Sequence, residues 1–157
     1  MSPHLIKRDD IERMEETVVQ HQFKDNAIRH TKTLSGLAGL SRLGLHIVRI
    51  EPGCESTTHH SHEADEEFIL ILDGTGTARI DDEYFEVGEG DFMAFPAPGP
   101  AHSLYNDGDT DLVYFVGGES NLPDVVHYPT IRRSMTKTAE RRAYSDWDDI
   151  HETPPRS

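Results

Sequence analysis

The sequence is poor in several things, and each shortage excludes a class of protein. It has one cysteine, Cys54, so no disulfide can form within the chain. A disulfide-stapled fold is excluded, and a reducing compartment is the natural setting. No apolar run approaches the roughly eighteen residues of a membrane-crossing helix. The opening "MSPHLIKRDD" lacks the apolar stretch of a secretory leader. The expectation is a cytoplasmic protein without a membrane partner. Bases are scarce through the middle: from Glu51 to Glu119 there are seventeen Asp and Glu against a single base, Arg79. With a formal charge of −14 over 157 residues, such a surface repels nucleic-acid backbones and anionic lipid, so neither is an expected partner.

Helical periodicity is also scarce. "DDIERMEETVV" has apolar residues at Ile11, Met14 and Val18, enough for one short amphipathic helix. "TLSGLAGLSRLG" is too rich in glycine for a helix interior and reads as an ordered arm. From Leu43 onward, short runs rich in Val, Ile, Phe and Tyr alternate with turn residues: "LGLHIVRI", "EFILIL", "TARI", "DFMAF", "HSLY" and "LVYFV". This rhythm predicts an all-β sandwich or barrel. "EFILIL" is apolar at successive positions and predicts a strand buried on both faces. After Gly117 the pattern dissolves into a tail with a basic group, Arg132, Arg133, Lys137, Arg141 and Arg142, suited to docking on the acidic body or on a second subunit. The expected organisation is an irregular arm over 1–42 with a possible short helix, a barrel core over 43–117 and an irregular C-terminal extension over 118–157.

The densest chemistry lies in "HHSHEADEEF", His59–Phe68, with three histidines and four carboxylates. On a strand, His60 and His62 share one face while His59 and Ser61 share the other. Two imidazoles at i and i+2 can close on one metal ion, and a strand following the acidic turn can add a carboxylate. Alternation leaves Glu66 and Glu67 as rivals for that role. His102, which follows "PAPGP" and opens another β run, is the best fourth ligand. His59 is expected at the surface. His4, His21, His30, His127 and His151 are expected in solvent, as are the turn acids Glu63, Asp65 and Glu66.

These residues resemble the two motifs of the cupins, small double-stranded β-helix or jelly-roll barrels. Gly53, His60-Ser61-His62, Glu67 and Gly74 follow the spacing of the first motif, and Gly90, Pro96, Gly99, His102 and Asn106 that of the second. The chain departs from the pattern by one residue between Gly53 and His60 and by one in "PAPG", both in turns, where insertions are tolerated. The approach "LGLHIVRIEPG" and the exit "DVVHYP" also look like small single-domain bacterial cupins. The resemblance selects Glu67 over Glu66 and implies a metal site of His60, His62, Glu67 and His102.

Three imidazoles and one carboxylate suit a single divalent transition ion, Fe, Mn, Ni, Co or Zn, with one or two positions open to ligands. The acid–base candidates beside it are His46, Tyr105 and Glu67 itself. The resemblance implies a small-molecule substrate and a homodimer, and spans many reactions, because a fold so widely shared does not choose one. Dioxygenase-like chemistry on a small oxygen-bearing metabolite stands slightly ahead of a sugar-phosphate isomerase or other metal-dependent isomerase or lyase. A non-catalytic, metal-anchored binding protein is the rival of another class. Phosphate chemistry would need a base in the pocket: Arg42, Arg49, Arg79 or an arm from a terminal segment.

Overall fold

The computed structural model describes Ser2 and residues 4–155. In chain order the elements are α1 (Arg8–Arg13), β1 (Thr17–Gln20), β2 (Ile28–Thr33), α2 (Leu34–Ala38), β3 (Leu43–Ile50), β4 (Ser61–His62), β5 (Glu67–Asp73), β6 (Thr75–Ile80) and β7 (Glu83–Gly88). There follow β8 (Phe92–Phe95), β9 (His102–Tyr105), β10 (Leu112–Glu119), β11 (Asp124–Tyr128), β12 (Arg133–Lys137) and β13 (Arg142–Asp146). A short 3-10 turn, Trp147–Asp149, comes last. All strand pairs within the sheets are antiparallel.

The strands form a six-stranded sheet, β1-β2-β3-β10-β5-β8, opposed by a three-stranded sheet, β7-β6-β9, and a four-stranded one, β13-β12-β11-β4. A bridge between His60 and His102 joins the two smaller sheets. This is the expected all-β jelly roll. Its core has Val48, Ile50, Ile69, Ile71, Leu112, Tyr114 and Phe95 from the large sheet packed on Ala78, Val87 and Leu104 from the opposite layer. Fully burying an aliphatic side chain contributes about 1.5–3 kcal/mol, so Ile50, Ile71, Leu104 and Leu112 (all at or below 1% exposure) are its main anchors.

Two motif residues serve the fold. Gly74 turns β5 into β6 at φ +81°, and a Cβ there would lie 2.3 Å from the Asp111 carbonyl oxygen, so no other residue fits without backbone movement. Asn106 is fully buried. Its amide donates to the carbonyls of Ile50 and Thr110, each at 2.8 Å, and its Oδ1 accepts from Gly108 N–H. It closes the β9–β10 turn over the base of the core.

The terminal segments correct the sequence reading. Neither the arm nor the tail is irregular. α1 forms, but "TVVQ", next to it in the same stretch, is a strand; β1 and β2 extend the large sheet through β3. The glycine-rich stretch does form one helical turn, α2, stopped by Gly39 at φ +72°. The tail folds as β11–β13 and pairs with β4 at His62 and Ser61. Three of the five residues in its basic group are bound internally, Lys137 to Asp65, Arg133 to Asp146, and Arg132 to Asp148, while Arg141 and Arg142 are exposed. Through β11 and Lys137 the tail packs on the chain's own barrel. β5 differs as well. Ile69 and Ile71 face the core, whereas Leu72 on the other face is exposed.

Candidate metal centre

The centre lies where β4, β5 and β9 meet between the layers. Glu67 opens β5, His62 closes β4, His60 precedes it by two residues, and His102 opens β9. The Oε2 of Glu67 lies 3.0 Å from His102 Nε2 and 3.8 Å from the Nε2 atoms of both His60 and His62. Metal–ligand bonds of about 2.0–2.2 Å separate neighbouring donors by roughly 3–4 Å, the spacing found here.

The ring tautomers point the same way. His62 Nδ1 lies 2.7 Å from Asp124 Oδ2, His60 Nδ1 3.0 Å from the Thr58 carbonyl and His102 Nδ1 3.3 Å from the Pro100 carbonyl. Carboxylates and carbonyls only accept, so each Nδ1 donates, and in the neutral ring Nε2 is then the nitrogen left to ligate. The ligand atoms of His60, His62 and Glu67 all lie within 4.8 Å of one another, and His102 adjoins them through Glu67, a donor set that suits a divalent transition ion. The His102 ring is held by stacking on Phe95 at 3.6 Å and 3°.

Electrostatics follow from burial. Desolvation opposes the charge on Glu67, yet the neighbouring His102 and His60 imidazoles outweigh it and hold the carboxyl well below its usual range. Burial is the largest influence on His60 and lowers it, so the ring favours the neutral, ligating form.

Of the acid–base candidates, His46 is on the core side of β3, with its Nδ1 3.1 Å from Thr33 Oγ1. Burial and the Arg29 charge lower its pKa against the opposing pull of Glu67, so it is a neutral base at neutral pH. Tyr105 does not join the site. His102 and Leu104 are the inward residues of β9, and Tyr105, on the alternate face, is exposed.

Other expectations also change. His59 is buried beside Ser103, not at the surface, and burial with nearby cations pushes its pKa down to about 4. Alternation separated it from His60 correctly, but the opposite face is not wet. Asp65 is buried as well, accepting from Asn121 N–H at 2.6 Å and from Lys137 Nζ at 2.7 Å. His30 lies between Glu16 and Glu51, and His127 binds Glu63 and Ser134. His21 is packed against Tyr128 with ring centroids 5.2 Å apart.

Three residues of the site's surroundings escaped the sequence reading. Asp124, with its side chain fully buried, fixes the His62 ring. Tyr128 is buried with its ring 6.2 Å from that of His60. Arg29 reaches the interior from β2, donating from Nη1 to the Ser56 carbonyl at 3.1 Å. The bases weighed from sequence go elsewhere, Arg49 to Glu16 and Asp111, and Arg79 to Asp82. A cleft of about 730 Å³ beside His127, Arg132 and Trp147 is lined by none of the four candidate ligands.

Comparison with known proteins places this geometry in a family. A cupin-domain family profile matches residues 46–117. The chain is similar to a protein of Acidithiobacillus ferrooxidans provisionally named a sugar phosphate isomerase, with 33% identity, a TM-score of 0.94, and 98% of each chain covered. It is also similar to a Silicibacter pomeroyi protein named a sugar phosphate isomerase from a cupin superfamily, with 26% identity, a TM-score of 0.81, and 95% and 96% of the two chains covered. An uncharacterized protein of Methanocaldococcus jannaschii is 38% identical over 63 residues, a match spanning 40% of this chain and half the length of that protein.

Proposed function

Since the chain belongs to the cupin superfamily, we propose that it is a metal-dependent isomerase acting on a small phosphorylated sugar, with His60, His62, Glu67 and His102 as the ligands of one divalent transition ion. The observation that carries this reading is the gathering of three Nε2 atoms within 3.0–3.8 Å of Glu67 Oε2, on a chain similar over 98% of its length to a protein provisionally named for that activity. Of Fe, Mn, Ni, Co and Zn, this donor set suits each. When bound, such an ion supplies Lewis acidity to a hydroxyl or carbonyl oxygen.

The chain's own residues supply the rest. Interconverting an aldose and a ketose moves one proton between adjacent carbons and a second between the oxygens they carry. His46, neutral and half-buried, is the base for removing it from one carbon and returning it to the next. Glu67 is held ionised and stays a ligand instead of sharing that task. Tyr128, buried against His60 and His21, covers one side of the centre.

Relative to the sequence alone, the order of the two reaction classes reverses. Phosphate chemistry lacked an available base in the barrel strands, and β2 brings Arg29 in from the N-terminal segment. The test is conversion of aldose phosphates to ketose phosphates in deuterated water by the metal-loaded protein. The expected result is interconversion with deuterium entering the carbon next to the carbonyl. Oxygen uptake by the iron-loaded protein, without interconversion, would restore the dioxygenase reading. Binding of the sugar phosphate without turnover would favour a non-catalytic binding protein.

The same reading takes the working unit as a homodimer. Its support is the outer face of the large sheet, where Phe92, Leu72 and Leu43 are exposed and Phe68 stacks on Phe92 and meets Phe115 edge-on. A second copy on this face would also account for the doubly apolar pattern of "EFILIL". Sedimentation at micromolar concentration should give a dimer, and Phe92→Lys should give monomers. A monomeric wild type would contradict it.

A further inference from the structure

β2 presents alternate residues to the barrel interior. Thr31 lies opposite Val48 of the core and Thr33 opposite His46, so Arg29 belongs to the same inward face. This face carries polar groups with nothing to bind. Thr31 is 9% exposed, and its Oγ1 is buried without a hydrogen-bond partner among the described residues. His21 Nε2 is in the same condition. The His21 Nδ1 accepts from Phe23 N–H and meets Thr58 Oγ1 at 2.9 Å, so the proton is on Nε2, which is an unspent donor. Arg29 spends one of its five N–H donors on Ser56, and among the described residues no carboxylate lies within ion-pair distance of it.

Buried polar atoms without partners are rare and call for an explanation. Here both can donate, a hydroxyl and an imidazole N–H, and Arg29 adds the unspent N–H groups of a guanidinium. A ligand that satisfies them must be rich in acceptors and negatively charged. The cluster also borders the metal centre. Thr58 touches His21 through its hydroxyl and His60 through its carbonyl, and Tyr128 packs against both rings. Arg29 reaches the same loop through its 3.1 Å bond to the Ser56 carbonyl, two residues before Thr58.

We infer that Arg29, Thr31 and His21 form a phosphate-recognition site on the N-terminal strand, which holds the charged end of the substrate while its other end reaches the metal ligands. The choice of phosphate among oxyanions rests on the isomerase reading; the anion site itself rests on the donors. The planar guanidinium matches a phosphate with two parallel hydrogen bonds, and the remaining donors fit its other oxygens. In a chain of charge −14 this interior cation, with a divalent ion beside it, makes a local positive trap for an anion.

The test uses the full-length, zinc-loaded protein titrated calorimetrically with inorganic phosphate. Arg29→Gln keeps a donor for the Ser56 carbonyl and should weaken phosphate binding by roughly tenfold to a hundredfold, with zinc content unchanged. Arg29→Lys, which keeps the charge and loses the fork, should fall between. Unchanged phosphate affinity in zinc-loaded Arg29→Gln would overturn the assignment. Should that variant not fold, the wild type answers: phosphate should slow phenylglyoxal modification of Arg29, mapped by mass spectrometry, and an unprotected Arg29 overturns the proposal. The two readings fail separately. Arg29-dependent phosphate binding without sugar isomerisation keeps this site and removes the isomerase. Isomerisation of a sugar phosphate with an unchanged KM in Arg29→Gln does the reverse.

Discussion

A carboxylate has no proton to give at neutral pH, so the 2.7 Å contact of Asp124 with His62 means that the ring donates from Nδ1. The same carboxylate accepts from Ala64 N–H at 3.0 Å, which orients it before any metal arrives. Burial opposes its charge, but the His62 and Ala64 hydrogen bonds prevail and hold its pKa below the usual value. Asp124→Asn keeps the shape and removes the charge that makes the ring a stronger ligand. Metal affinity should fall about tenfold to a hundredfold, measured by competition with a chromophoric chelator, with the fold intact. Equal affinity would mean that Asp124 only packs. The four candidate ligands were legible because motif spacing sets them out along the sequence. Asp124 was not, standing 62 residues from the ring it serves in a stretch with no chemical signature of its own. Arg29 was missed for the same reason. An arginine on a short strand looks solvated until the strand is known to close a barrel.

At the level of elements, the strands between Leu43 and Val116 announced themselves through β-branched runs and turn residues. β11, β12 and β13 did not, because their stability comes from pairing and from ionic ties to distant residues. Lys137 shows how this works. Its ammonium lies 2.7 Å from Asp65 and 3.9 Å from Asp124, with both carboxylates almost fully buried. Removing the cation leaves buried negative charge uncompensated, so Lys137→Met should destabilise the fold by about 3 kcal/mol. Urea unfolding followed by circular dichroism measures this, and a loss under about 1 kcal/mol would mean that the pair behaves as an exposed one. The tail therefore serves the metal centre: it provides Asp124, and Lys137 offsets the charge that Asp124 and Asp65 bring.

At the level of the whole molecule, a strongly acidic body encloses a candidate centre of three imidazoles and one carboxylate, with Arg29 on β2 of the same barrel. No helix among the described residues is long and apolar enough to cross a membrane. The jelly roll brings together ligands from three strands, a wall from the N-terminal segment and a supporting carboxylate from the C-terminal one, and a variant in any of these segments should therefore register at the metal. The most direct measurement is metal content after reconstitution of wild type and His62→Ala with each of Fe(II), Mn(II), Ni(II), Co(II) and Zn(II), followed by dialysis. The account predicts one divalent ion held per wild-type chain and none in a folded His62→Ala. A wild type that retains no metal, or a His62→Ala protein that keeps its full complement, would contradict it.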